Sequence, residues 1–147
     1  MLGSNNERRK KMSYTGFWKR VAAFIIDACI LIIGSLAIGF VVFSLVMKID
    51  DPARLEFMTD TLGLIIGWLY FAVMESSTSQ GTVGKMALGI KVTDTEGNKI
   101  SFLRATGRHF GKIISSIILG IGYIMIAFTQ KKQGLHDMLA ECLVVNK

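Results

Sequence analysis

Apolar residues run almost unbroken from 21 to 47, and Asp27 is the one charge inside that run. Crossing the hydrocarbon core takes about 20 residues, so the run predicts a membrane-spanning helix with length to spare. A second apolar run, 57–74, is interrupted early by Asp60, and a third, 110–128, carries Gly120 and Gly122 near its middle. Between the second and third runs the period changes. Leu88, Ile90 and Val92 alternate with Gly89, Lys91 and Thr93, which predicts a strand. Asp94-Thr95-Glu96-Gly97-Asn98 is turn chemistry, and 99–102 is the expected return strand of a hairpin over 87–102. Leu143-Val144-Val145 is a further β-prone run, and a third strand would steady a hairpin that is marginal alone. The expected fold is an all-α membrane protein: two transmembrane helices, a third glycine-broken membrane segment, and a small cytoplasmic β-hairpin.

Charge orients these elements. The 147-residue chain carries a formal charge of +6, and its basic residues cluster beside apolar runs. Arg8, Arg9, Lys10, Lys11, Lys19 and Arg20 precede the first run, giving a basic cytoplasmic tail over 1–15 ahead of a membrane domain over 16–147. The loop 48–56 balances Lys48 and Arg54 against Asp50, Asp51 and Glu56 and is the translocated one. The segment 76–111 is basic again, hence inside. Lys131 and Lys132 then conflict with a third full span. Either the positive-inside rule fails there, or 110–128 re-enters on the same side by breaking at Gly120-Ile121-Gly122. Glycine tolerates such a turn, and re-entrant backbone is stable where protein buries it. Same-side return would also let the C-terminal run reach the cytoplasmic hairpin. A cleaved signal peptide fits poorly, because the first run is about twice the usual 7–15-residue apolar core. The expected location is a bacterial cytoplasmic (inner) membrane, multi-pass, with the N-terminus cytoplasmic. Anionic lipid headgroups, not nucleic acid, account for the basic balance.

Candidate chemistry centres on the intramembrane carboxylate. Arg20 and Asp27 are seven apart, about 20° from eclipsed on a helix, with Asp27 about 10 Å deeper. An aspartate at a helix centre costs about 2.5–3.5 kcal/mol on insertion scales, so a partner is expected. One reading is a buried ion pair that fixes helix packing. The other is a carboxylate poised between desolvation and a nearby cation, able to exchange a proton for a cation. Glu75 closes the second run on the cytoplasmic side and is a further candidate. Arg104, Arg108 and Lys112 recur every four residues, with Phe102, Leu103, Phe110, Ile113 and Ile114 opposite, the pattern of a helix in the membrane interface. A plain solvated basic face is the alternative.

Small residues four apart (Ser35/Gly39, Gly63/Gly67, Ser116/Gly120) allow close helix approach, in a compact bundle or an oligomer. The two cysteines, Cys29 and Cys142, read as buried small hydrophobes. His109 and His136 have no metal-ligand spacing, no serine lies in a nucleophile elbow, and Gly81–Gly84 lacks a phosphate-loop ending. Neither catalysis, cofactor nor metal is expected.

Three segments together resemble the RDD family of bacterial membrane proteins, named for one arginine and two aspartates. Gly16-Phe17-Trp18-Lys19-Arg20-Val21-Ala22-Ala23-Phe24-Ile25-Ile26-Asp27 resembles its first-helix motif, which places the family arginine at Arg20 and the first aspartate at Asp27. Gln80-Gly81-Thr82-Val83-Gly84-Lys85 and Gly89-Ile90-Lys91-Val92 resemble its central motif, with Gly84 and Lys85 at matching positions. Gln133-Gly134-Leu135-His136-Asp137-Met138-Leu139-Ala140 resembles the segment of the second aspartate, here Asp137 preceded by His136. Val83 departs from a common proline, and Glu141-Cys142 from a usual Gly-Thr.

The resemblance covers nearly all of the chain after Met12. It implies cation/proton exchange only by analogy with some members. The expectation is an RDD-type membrane protein of unknown biochemical role. Exchange of a small monovalent cation for a proton through a buried site of Arg20, Asp27, Asp137 and Glu75 is the leading specific reading. Two or three membrane segments make a poor solitary pathway, so this reading requires a homo-oligomer. The alternative is a non-catalytic membrane subunit or scaffold, bound to a partner membrane protein, whose buried charges are structural.

Overall fold

The structure is a computed structural model that describes residues 12–46, 51–117 and 121–147. The basic residues 8–11, the loop positions Lys48 and Asp50, and Gly120 lie outside the described residues.

Two long helices dominate. Helix α1, Phe17–Val46, begins four residues before the first apolar run and has 30 residues, about 45 Å of helix. Helix α2, Pro52–Ser76, starts where Asp51 caps it, accepting from the Ala53 and Arg54 amides at 3.1 and 3.4 Å, with proline in its first turn. Within them, Phe17–Phe40 and Ala53–Ser76 are long and apolar enough to cross a membrane. Their outward side chains stay exposed, among them Phe24, Ile33, Leu36 and Leu64. Only a membrane or another helix can shield such a surface from water.

The other described residues form a small head at one end of these helices. A five-residue helix α3, Val83–Ala87, leads into strand β1, Ile90–Asp94. Helix α4, Phe102–Ile117, and helix α5, Ile121–Phe128, follow, with axes 98° apart. A short helix α6, Leu135–Leu139, precedes strand β2, Cys142–Asn146.

The alternating segment does form a strand, but its partner is not residues 99–102. Strand β1 pairs antiparallel with β2, Val92 opposite Val144. The expected turn is present: Asp94 accepts from the Glu96 and Asn98 amides, both at 2.8 Å. The chain then enters α4, whose first turn Ser101 supports by accepting the Arg104 amide at 3.3 Å. Cys142, Leu143, Val144 and Val145 are all buried, an environment unsuited to Lys99 and Ser101. That composition makes the C-terminal run the better partner.

Both outer edges of the pair are covered. Residues 13–15 run along β2, with Thr15 N donating to Val144 O at 2.9 Å and Asn146 N to Ser13 O at 2.8 Å. On β1, Gln80 accepts the Val92 amide at 2.6 Å and returns a side-chain bond to the Val92 carbonyl at 3.2 Å. Ile90, Val92, Ile100, Ala105, Cys142 and Val144 form the core with Ala23 and Ala72. Cys142 is buried as expected. Cys29 instead is exposed, because α1 packs on the head near its start and leaves its other faces outward.

Candidate functional site

Arg20 lies in the first turn of α1, where the N-terminal strand-like segment meets the head. Its guanidinium is fully engaged: Nε donates to Thr15 O at 3.1 Å, Nη1 to Asp137 Oδ2 and Nη2 to Lys132 O. Asp137 is the third residue of α6, and its carboxylate also accepts the Gly134 amide at 3.2 Å, closing the first turn of that helix. Its other oxygen takes Arg108 Nε at 2.7 Å. Burial alone would raise the Asp137 pKa. The guanidiniums of Arg108 and Arg20 outweigh it and hold the carboxyl well below the usual range.

Arg108 extends the chain of charges inward. Only 2% exposed, it spans two acids, donating from Nη1 to Glu75 Oε2 at 2.7 Å. Glu75, in the last turns of α2, gives its other oxygen to Lys85 Nζ, with Lys112 Nζ at 3.5 Å. Lys112 also sits over the Phe71 ring, 4.5 Å from its centroid. Burial pushes the Lys85 ammonium down to about 7, against the opposing pull of Glu75. One carboxylate thus serves three cations, and the ion pairs link α1, α6, α4, α2 and α3 in a single path.

Asp27 stands apart from this path. Its buried carboxylate accepts Tyr70 OH at 2.8 Å, the Gly84 amide at 2.8 Å and Thr82 Oγ1 at 2.5 Å. These bonds pin the start of α3 to the side of α1. Gly84 permits the approach, since a Cβ there would collide with the Ala23 carbonyl oxygen. The Arg20–Asp27 pairing expected from their shared face does not form. A seven-residue spacing leaves them about 10 Å apart along the helix, and each finds a partner from later in the chain.

The remaining candidates fall around these two sets. His136 is buried beside Asp137, its Nε2 3.4 Å from Oδ1, and its ring lies 5.1 Å from that of Tyr123. Burial pushes its pKa down to about 3, so it is neutral, and Nδ1 has no hydrogen-bond partner among the described residues. Glu141, the added charge next to the second aspartate segment, turns away and pairs with Arg104 at 3.2 Å on the surface. Asp60 is exposed, 15 positions and about 22 Å of helix from Glu75. Among the described residues no group of three or more His, Cys, Asp or Glu could hold a metal ion.

The roles of Arg108, Lys112, Tyr70 and Thr82 in this network were not anticipated from the sequence. The four-residue spacing of Arg104, Arg108 and Lys112 was the available signal, but at Arg108 the basic face meets protein instead of headgroups or water. Arg108 points into the protein, while Leu103, Phe110, Ile113, Ile114 and Ile117 on α4 are exposed. A solvated basic face is therefore ruled out at Arg108.

The RDD family model matches residues 14–141, nearly the whole chain. The chain belongs to the RDD family. Two relatives from Bacillus subtilis (strain 168) are similar along most of their length. "Uncharacterized protein YxaI" is 35% identical, covering 90% of this chain and 97% of that protein. "Uncharacterized membrane protein YteJ" is 33% identical, covering 92% of this chain and 82% of that protein. No solved structure matches. In this RDD protein the arginine and second aspartate at the resembling positions pair with each other, whereas the first aspartate caps the short helix of the central motif.

Proposed function

We propose that this RDD protein is a non-catalytic membrane subunit of the bacterial cytoplasmic membrane whose buried charges form a latch. The latch holds the start of one span, the end of the other and the returning third segment against a small cytoplasmic head. The observation that carries this reading is the unbroken path Arg20–Asp137–Arg108–Glu75–Lys85, each member of which is paired. Buried ion pairs add little net stability over apolar packing, yet they strongly disfavour any arrangement that separates them. Such a network suits the fixing of one geometry better than the movement of an ion.

The basic segments support a cytoplasmic head, with the N-terminus inside. The 98° change of direction between α4 and α5, together with the β1–β2 pairing, supports same-side return of the third segment. The spans make little contact with each other above the head. Between them runs an apolar cleft of about 480 Å³ whose walls include Ser35, Gly39, Gly63 and Gly67. Small residues opening onto a gap suit lateral association, with a second copy or with another membrane protein.

Cation/proton exchange by an oligomer is the second reading, and Asp27 is the observation that favours it. Its partners are neutral donors, and Tyr70, which lines the cleft, also bonds it. Proteoliposome flux separates the two readings. The latch reading expects folded protein to give no proton-coupled Na⁺, K⁺ or Li⁺ flux. Flux that Asp27→Asn abolishes would overturn it.

A further inference from the structure

We propose that Lys112 anchors a binding site for the phosphodiester headgroup of an anionic phospholipid on α4. The inference rests on the reading of the head as lying at the membrane surface. Among the described residues the network brings Arg20, Arg108, Lys85 and Lys112 against only two carboxylates, Asp137 and Glu75. Four basic side chains thus face two acids. Asp27 does not enter this balance, because its bonds go to Tyr70, Thr82 and Gly84. A surplus cation in a poorly solvated place calls for an anion.

Lys112 is where that anion can arrive. Glu75 bonds Arg108 at 2.7 Å through one oxygen and Lys85 through the other, and Lys112 reaches the second oxygen only at 3.5 Å. Its side chain is 22% exposed, against 9% or less for Arg20, Lys85 and Arg108. The neighbouring Phe110, Ile113 and Ile114 are exposed and apolar. One helix therefore offers a cation for a headgroup and a greasy surface for acyl chains, which favours a lipid over free phosphate of the same charge chemistry.

The test uses the full chain in a neutral detergent, titrated with short-chain phosphatidylglycerol or phosphatidylcholine. Phosphatidylglycerol is expected to bind more tightly, and Lys112→Gln to weaken it about fivefold or more, the weight of one interfacial cation. Lys99→Gln, an equal change of charge on the exposed surface of the head, is expected to leave binding unchanged. In the native protein, phosphatidylglycerol but not phosphatidylcholine should slow amide exchange at 109–116, a readout that requires no variant. Equal binding of the two lipids, or equal loss in both variants, would overturn the site. Inorganic phosphate that binds as tightly as the lipid would overturn its assignment to a lipid. Failure of this test leaves the latch standing, because the latch is read from unfolding without added lipid.

Discussion

Glu75 and Arg108 are 33 residues apart in sequence, and Arg108 Nη1 lies 2.7 Å from Glu75 Oε2. The contact closes the end of α2 onto the inward face of α4, and the other side of the same guanidinium holds Asp137. Arginine suits this position because its planar fork serves two acids at once, which a lysine ammonium at one point cannot do.

Arg108→Met is therefore expected to destabilise the protein by about 3–5 kcal/mol, since it takes one cation from each of two buried carboxylates and breaks the path between Arg20 and Lys85. Arg108→Lys should recover only part of the loss. Denaturant unfolding in detergent, followed by tryptophan fluorescence, checks both. Equal stability of the lysine variant and the native protein would show that the fork is not needed.

Gly84 offers a test of the second polar set. A methyl group there meets the Ala23 carbonyl, so Gly84→Ala should cost about 1–3 kcal/mol through overpacking. Gly67 has nothing within 4 Å of its would-be Cβ, and Gly67→Ala should change unfolding by no more than about 0.5 kcal/mol. Thermal midpoints of the two variants side by side give the answer.

These positions show how far the sequence could be read. The apolar run over 57–74 and the alternation over 88–93 act locally, so the second helix and the strand were both legible, whereas the Asp51-Pro52 cap starts α2 five residues earlier, inside the expected loop. The partner of β1 was not: residues 99–102 are nearer in the chain, and only the burial of Cys142–Val145 on the folded protein decides against them. The Arg20 and Asp27 positions were evident from spacing, but spacing on one helix cannot reveal that Asp137 and Gly84 arrive from elsewhere. Arg108 was misread because amphipathicity gives a helix a polar face without saying whether that face meets water or buried acids from other elements.

Proton linkage follows from groups in the head. Lys85 falls to about 7 from 10.5, so the folded state releases its proton first and stability should rise between pH 7 and 10.5. His136 falls to about 3 from 6.5, so stability should drop as pH falls from 6.5 toward 3. The lowered Asp137 pKa adds a further loss below 3.8, where the unfolded chain takes up the proton and the folded protein resists it. Thermal midpoints against pH, for the native protein, Lys85→Met and His136→Gln, check the assignments. Each variant should flatten its own window and leave the other.

Tyr70→Phe removes the hydroxyl that donates to Asp27 and accepts the Val83 amide at 3.2 Å. A loss of about 1–3 kcal/mol is expected for leaving these polar groups short of a partner. Amide exchange at 82–85 should speed up in this variant. Unchanged exchange there would separate α3 from the Tyr70–Asp27 contact.

The most direct test of the latch is a double-mutant cycle on Arg20→Met and Asp137→Asn, read by unfolding in detergent. Each single change should cost about 3–5 kcal/mol, because Asp137→Asn leaves the buried Arg20 without its carboxylate and Arg20→Met leaves Asp137 with Arg108 alone. The double variant should cost clearly less than the sum of the two. Additive losses, or two single variants as stable as the native protein, would contradict the claim that this pair holds the head together.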